Sequence, residues 1–359
     1  MHIALDATPL TVPSGGVRRY TEELSGALAR GFPADDYWLL SDQAFDPPNG
    51  ALANLRAGLR PRHLLERRWW LWGLQRETSR LKIDVFHGTD FAVPYLPVCA
   101  SVMTLHDLSP WMDPAWHRGS DRVRKRTPVL LRLGLATMVI THCEAVRKQA
   151  IERFRLAPER VVTVPLAASP VFRCPQTMPL AAGPPYLLYV GTIEPRKNIP
   201  LLLDVWRELR REYPIELVLA GRRRSDGPEI PQEPGLRMLG LTEEEALPAL
   251  MAGAAAFIYP SYYEGFGLPV LEAMQCGAAV IASRDPAISE VAGDGAILVD
   301  VRDRRDWIET LRAVLAEPRR LEELRTRALA RAAGFTWTKT AKLTREVYEH
   351  AFRRFHNQA

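Results

Sequence analysis

Short apolar runs recur along the chain, separated by stretches whose apolar positions follow helical spacing. This alternation predicts βα units built around parallel sheets. In the first half, Ile3–Leu5, Tyr37–Leu40, Asp84–His87, Ser101–Leu105, Met138–Thr141 and Val161–Val164 read as strands. The pattern lapses at Cys174-Pro175-Gln176 and Gly183-Pro184-Pro185, a proline-rich stretch of the kind that joins domains. It restarts with Tyr186–Val190, Ile215–Ala220, Arg237–Leu239, Ala256–Tyr259, Ala278–Ala282 and Ala296–Val299, and Trp337–Phe355 reads as a final amphipathic helix. The expected organisation is a first domain over 1–172, a linker over 173–185, a second domain over 186–335 and a tail, 336–359, packing back on the first domain. Two doubly wound α/β sheets in tandem predict a cleft between domains, because such sheets bind ligands beyond the carboxyl ends of their strands.

Length and composition fit this reading. A chain of 359 residues suits two domains of ordinary size, and 47% hydrophobic residues can fill both cores. No apolar run reaches the roughly 18 residues of a membrane span, and Met1-His2-Ile3-Ala4-Leu5-Asp6 reads as a strand rather than a signal peptide, so a cytoplasmic protein is expected. Cys99, Cys143, Cys174 and Cys276 lack the close spacing of a zinc site or a disulfide framework.

The net charge of +5 is modest but uneven. Residues 56–82 are rich in arginine, with only Glu66 and Glu77 opposing, and carry Trp69, Trp70 and Trp72; residues 118–132 set Arg118, Arg122, Arg124, Lys125, Arg126 and Arg132 against Asp121. Basic side chains interleaved with tryptophan predict peripheral contact with an anionic membrane surface, at the inner face of the cytoplasmic membrane. A solvated helix face over core tryptophans is the plainer alternative. Nucleic acid is not expected, since no recognition module accompanies the charge.

The strongest chemical signal is Glu264-Gly265-Phe266-Gly267-Leu268-Pro269-Val270-Leu271-Glu272. Two carboxylates flank a glycine loop that runs into a helix start, with Pro269 suited to the first turn. Backbone N–H groups and the positive end of a helix dipole suit a diphosphate, leaving the carboxylates for the hydroxyls of a ribose and a sugar. Gly15-Gly16 after the first strand offers a second close approach to phosphate, or only a tight turn, and lacks the full spacing of a dinucleotide fingerprint. Arg196 and Lys197, in Gly191-Thr192-Ile193-Glu194-Pro195-Arg196-Lys197-Asn198, fall where a helix begins; cations there oppose the dipole unless an anion compensates, and a diphosphate would do so. His106, followed by Asp107, ends a strand where ligands collect. No Asp-x-Asp pair signals a metal held on the diphosphate, so no metal and no cofactor are expected, and cationic side chains would neutralise a leaving group.

The segments Val190–Asn198, Pro260–Pro269 and Phe335–Ala341 together resemble glycosyltransferase family 4, the retaining GT-B group with two Rossmann-like domains facing across a cleft. The resemblance runs from the Gly15-Gly16 loop to the last helix. It implies a nucleoside-diphosphate sugar donor, with Glu272 on the ribose hydroxyls and Glu264, Gly265, Phe266, Gly267 and Leu268 around the donor sugar. It also implies Lys197 on the diphosphate, Gly16 near the phosphate, and His106 as the active-site histidine that touches the sugar. Where many members carry arginine after the first glycine of the phosphate strand, this chain has Thr192, so Arg196 or Arg222 is expected to supply the second cation; Ala167-Ala168 replaces a usual glycine. The form of the phosphate segment resembles mannosyl- or rhamnosyltransferases of O-antigen and exopolysaccharide assembly. That implies GDP-mannose as donor, with a UDP-hexose or dTDP-rhamnose as alternatives, and a saccharide or lipid-linked saccharide acceptor. An epimerase on the same architecture and a non-catalytic sugar-nucleotide-binding protein are the other readings.

Overall fold

A computed structural model describes residues 1–12, 15–48, 52–61, 66–116, 119–175 and 183–358. Residues 176–182 of the expected linker, 62–65 of the first basic stretch and Arg118 of the second lie outside the described residues.

Seven strands form the first sheet: β1 (His2–Asp6), β2 (Asp36–Leu40), β3 (Leu55–Ala57), β4 (Val85–Gly88), β5 (Ala100–Thr104), β6 (Met138–Thr141) and β7 (Val161–Thr163). Six form the second: β8 (Tyr186–Val190), β9 (Glu216–Ala220), β10 (Leu236–Gly240), β11 (Ala256–Tyr259), β12 (Val280–Ser283) and β13 (Ala296–Val299). Every pairing is parallel. The orders are β3-β2-β1-β4-β5-β6-β7 and β10-β9-β8-β11-β12-β13, so each sheet reverses direction once, between β1 and β4 and between β8 and β11. β4, β5, β6, β11 and β12 are buried along their whole length. Helices on both faces of a parallel sheet demand this, which is why these strands read as unbroken apolar runs rather than as alternation. β3 was not visible in the sequence: it is three residues long, mostly exposed, and pairs only with β2 at the sheet edge.

The chain divides into two compact units, one made of residues 1–111, 117–166 and 336–359, the other of 112–116 and 167–335. The helix Trp337–Gln358 belongs to the first unit through contacts spread along its length. It packs on the helix Gly16–Gly31 and along β5. Near its start, Thr340 donates to the Pro165 carbonyl at 2.7 Å; farther on, the Tyr348 hydroxyl meets His87 Nδ1 at 2.7 Å. Arg345 pairs with Asp35 at 2.5 Å, and Asp35 also takes the amino terminus at 2.6 Å. Burial raises the Asp35 pKa, but these two cations outweigh it and hold the carboxyl below its ordinary range.

A depressed carboxylate pKa contributes stability above the unfolded value, near 4, that is lost as pH falls through the folded value. Arg345→Ala is expected to destabilise the protein by ~1–3 kcal/mol in urea denaturation near neutral pH, with the gap to wild type narrowing below about pH 4. A gap that does not change with pH would mean that the pair contributes through packing alone.

Candidate functional site

The second unit gathers most of the expected residues at the reversal between β8 and β11. Chains leaving two adjacent parallel strands turn to opposite faces there, the place where sheets of this kind bind ligands. Gly191 leaves β8 at φ 147 and Gly221 leaves β9 at φ 145, conformations that side chains rarely adopt. A Cβ on Gly221 would collide with the Gly191 carbonyl, and one on Gly191 would meet the Tyr189 hydroxyl at 3.0 Å. The two loops therefore lie one on the other, with Ile193 N–H donating to Arg222 O at 2.9 Å.

From β8 the chain forms a short turn, Pro195–Lys197, and Asn198 passes through φ 53 before the helix Ile199–Leu209 begins. From β11 it forms the loop to Gly267, at φ 88, before the helix Leu268–Gln275. The two segments meet over a buried charge cluster. Lys197 Nζ lies 2.5 Å from Glu264 Oε1 and 2.7 Å from the Tyr259 hydroxyl. Arg196 Nη1 lies 3.0 Å from Glu264 Oε2 and 2.5 Å from the Tyr263 carbonyl, and its Nη2 lies 2.9 Å from Glu194. Ser261 donates to Glu264 at 2.5 Å. Behind these, Glu194 pairs with Arg224 at 2.6 Å.

Burial alone would raise the Glu264 pKa, but Arg196 and Lys197 overcome it and set the carboxyl at about 2. Lys197 moves down, chiefly by burial and then by the neighbouring Arg196 charge, with Glu264 opposing. The anions that compensate the two cations are thus the chain's own Glu194 and Glu264. The dipole conflict read from the sequence therefore does not by itself call for a diphosphate, for two reasons: the cations sit in a turn ahead of the helix, and one of the anions comes from a remote loop. Glu264 is therefore a permanent carboxylate, suited to accept hydrogen bonds and unsuited to give a proton.

Glu272 is buried on the helix Leu268–Gln275, its charge helping burial to push the Cys276 thiol to about 12. Gly265 and Phe266 form the loop between the two carboxylates, and Leu268 opens the helix. Of the two arginines considered for the second cation, Arg196 is buried and committed to carboxylates, while Arg222 is exposed in the loop beside Thr192. The sequence reading missed Asp285, which caps the helix Pro286–Ala292 and holds the Glu264 backbone; burial raises its pKa to about 6. It also missed Trp116, which stacks on Tyr263 with ring centroids 6.2 Å apart and comes from a segment distant in the chain. A cap-forming Asp-Pro pair was a readable signal for Asp285; Trp116 had none.

The first unit holds the other expected residues, at the carboxyl ends of β1, β4 and β5. A cavity of about 470 Å³ there is lined by Asp6, Thr8, Gly15, Gly16, Arg18, Trp70, Asp90, Arg122 and Arg126, among others. Gly15, at φ 140, turns the chain into the helix from Gly16, and a Cβ on either glycine would meet nothing within 4 Å. Burial lifts the Asp6 pKa to about 7 against the pull of its Thr8 donors, and also raises Asp90. The Arg126 guanidinium sits 5.4 Å from the Trp70 ring, and its Nε is buried without a partner among the described residues. His106 is half-buried, and both ring nitrogens are engaged: Nε2 with the Thr89 carbonyl at 2.7 Å, Nδ1 with His142 Nε2 at 3.0 Å. Asp107, its neighbour, is turned away to accept from Ser109.

The basic, tryptophan-rich stretch divides. Trp69 is buried against Leu40, Leu74, Ile83 and Phe86, so it belongs to the core and not to a headgroup layer. Arg76 pairs with Glu66, and Arg80 with Glu77. Trp72, Tyr95, Leu96, Val98, Val129 and Leu133 are exposed, with Arg68, Arg122, Lys125 and Arg132 also at the surface. No helix among the described residues is long and apolar enough to cross a membrane.

Two family models match in succession, glycosyltransferase family 4 over residues 14–170 and glycosyl transferases group 1 over 175–331. The chain is 32% identical to the O-antigen chain mannosyltransferase B of Escherichia coli, over 97% of this chain and 100% of that protein. It is 32% identical to the MMP alpha-(1->4)-mannosyltransferase of Mycolicibacterium hassiacum, over 65% of this chain and 56% of that one. Among solved structures, it superposes on sucrose-phosphate synthase from Thermosynechococcus elongatus with a TM-score of 0.73 at 20% identity, covering 98% and 99% of the two chains. On Anabaena HepE in complex with UDP and glucose the TM-score is 0.68 at 17% identity, covering 96% and 98%. With two parallel Rossmann-like sheets, the Glu264 loop folded against Lys197, and both family models matched end to end, the chain belongs to the group 1, family 4 glycosyltransferases of GT-B fold.

Proposed function

We propose that the chain moves a hexose, in first place mannose from GDP-mannose, to a saccharide or lipid-linked saccharide hydroxyl in O-antigen or related polysaccharide assembly, with retention at the anomeric carbon. The observation that carries the reading is Glu264, held ionised by Arg196 and Lys197 at the β8–β11 reversal. The mannose assignment is supported by the full-length relative, an O-antigen chain mannosyltransferase.

Glu264 has one oxygen on Lys197 and Ser261 and the other on Arg196, an arrangement for receiving sugar hydroxyls rather than attacking an anomeric carbon. A front-face displacement follows: the bond from sugar to phosphate breaks, the acceptor oxygen bonds the same face, and the leaving phosphate oxygen takes the acceptor proton. Lys197, Arg222 and the loop from Gly265 to Leu268 stabilise the diphosphate, with no metal required. Arg222 is preferred to Arg196 because it is exposed beside Thr192 while Arg196 is consumed by Glu194 and Glu264. Glu272 takes the ribose. The cavity lined by Asp6, Asp90 and Trp70 has the size for an acceptor sugar ring, with two carboxyls set in a largely apolar wall. His106 serves the reaction from the end of β5. The exposed Trp72, Leu96 and Val98, with Arg122 and Lys125 nearby in the same unit, form the surface that meets an anionic membrane carrying the acceptor.

Glu264→Gln and Lys197→Ala are each expected to lower kcat by about 100-fold or more while circular dichroism stays unchanged; near-normal rates in both would remove the site assignment. In a thermal-shift screen, GDP-mannose at 100 times its Kd adds about 2.7 kcal/mol, an increment that UDP-glucose and dTDP-rhamnose at the same concentration do not match. A larger shift with UDP-glucose would reassign the donor. Loss of transfer in EDTA would overturn the metal-free reading. Flotation with anionic vesicles at low salt is expected to carry the wild-type protein and not a Trp72→Ala/Lys125→Glu variant; equal flotation of the two would exclude this surface.

A further inference from the structure

Three histidines converge at the carboxyl ends of adjacent strands: His87 near the end of β4, His106 two residues beyond β5, and His142 directly after β6. The Tyr20 ring stands edge-on to all three, with centroids 5.1 Å from both His106 and His142. His87 has two hydroxyl partners, Tyr348 at 2.7 Å and Thr104 at 2.8 Å, and needs nothing more. The other two form a chain. The Thr89 carbonyl meets His106 Nε2 at 2.7 Å, His106 Nδ1 meets His142 Nε2 at 3.0 Å, and His142 Nδ1 meets the Val164 carbonyl at 3.2 Å.

The hydrogens of this chain can be counted. Carbonyl oxygens only accept, so His106 Nε2 and His142 Nδ1 must each bear a hydrogen for the outer contacts to be hydrogen bonds. The contact between the rings needs one hydrogen more. Two neutral imidazoles carry two hydrogens between them, and the chain has places for three. With both rings neutral, two lone pairs face each other between the rings, or His142 changes tautomer and opposes the Val164 carbonyl with a lone pair, or His106 does the same to the Thr89 carbonyl.

We propose that His142 is a positioning residue for His106, and that the two rings share a third proton with His106 as its holder. In that state His106 donates from both nitrogens, and neutral His142 accepts at Nε2 and donates at Nδ1. His142 is suited to stay neutral: burial holds its pKa well below the ordinary value, and the His106 charge adds to this. Asp90, from the loop after β4, interacts electrostatically with His106, whose charge pulls the Asp90 pKa down against the burial that raises it. The other groups near the pair are His87, wholly buried with its pKa lowered to about 3 by burial and then by the His106 charge, and Tyr20 from the helix Gly16–Gly31, while Asp107 and Arg126 act on Asp90. The effect on catalysis rests on the transfer reading; the shared proton does not.

The test uses the whole chain with ¹⁵N-labelled histidine, and long-range ¹H–¹⁵N spectra that report the protonation of each ring nitrogen across a pH series. In wild type, His106 is expected to show both nitrogens protonated near neutral pH, with His142 a neutral Nδ1–H tautomer. In His142→Phe, which keeps a ring but no nitrogen, His106 is expected to show one protonated and one bare ring nitrogen; His142→Gln, whose amide oxygen can accept from Nδ1, restores the doubly protonated form. For transfer, His142→Phe is expected to lower kcat on the order of 10-fold with donor KM little changed, the size of effect seen when a partner that orients a histidine is lost, and His142→Gln to recover most of it. Identical His106 spectra in wild type and His142→Phe would overturn the proposal even if kcat falls, since a merely structural histidine could produce that fall. A wild-type spectrum with one bare nitrogen on His106 would overturn it without any variant. The spectra need no substrate, so failure of the transfer reading would leave their outcome intact.

Discussion

The constraint on which the rest depends is the single reversal of strand order in each sheet. A parallel sheet needs right-handed crossovers, and a sheet built outward from a central pair of strands sends the loops after that pair to opposite faces. At β8 and β11 this leaves the turn carrying Arg196 and Lys197 and the loop carrying Glu264 as neighbours, although more than sixty positions separate them in the chain. At β1 and β4 the same geometry brings Asp6, Gly15 and Asp90 to one cavity. Neither assembly is encoded by a local motif; each is what the topology does with loops that would otherwise be far apart.

The charge cluster in the second unit shows how a buried site can hold several ions at once. Isolated charges at this depth would be costly, and partial pairing would leave one uncompensated. Here Arg196 bridges Glu194 and Glu264, Lys197 shares Glu264, and Arg224 completes Glu194. The arrangement fixes Glu264 as a carboxylate of low basicity whose geometry is over-determined. In the first unit the balance runs the other way: Asp6 and Asp90 are buried with less cationic support, and burial dominates both.

Near the charged residues, glycine serves the fold at two points where a side chain is disfavoured. Gly221 leaves no room for a side chain against the Gly191 carbonyl, and Gly267 adopts a left-handed conformation at the head of the helix that carries Glu272. Both lie where a loop must turn sharply out of a strand or into a helix, so the backbone near the charged residues is defined by steric necessity rather than by the charges themselves.

The sequence by itself determined every strand but β3, the positions of the loops that follow them and the chemical types at Lys197, Glu264, Glu272 and His106, because fully buried parallel strands write unbroken apolar runs and glycine-proline punctuation marks their ends. β3 escaped because an exposed three-residue edge strand has no apolar pattern to write. Only the tertiary structure decided which charges meet. Arg196 read as one of two candidate phosphate cations and pairs with Glu194 and Glu264, which the sequence did not foretell, while Trp69, in a stretch read as a surface, lies in the core. His106 read as a lone histidine and is half of a pair with His142. The physical reason is common to all three: hydrogen bonds and ion pairs act over a few ångströms in space, and the partners lie on different strands and loops whose proximity depends on sheet order.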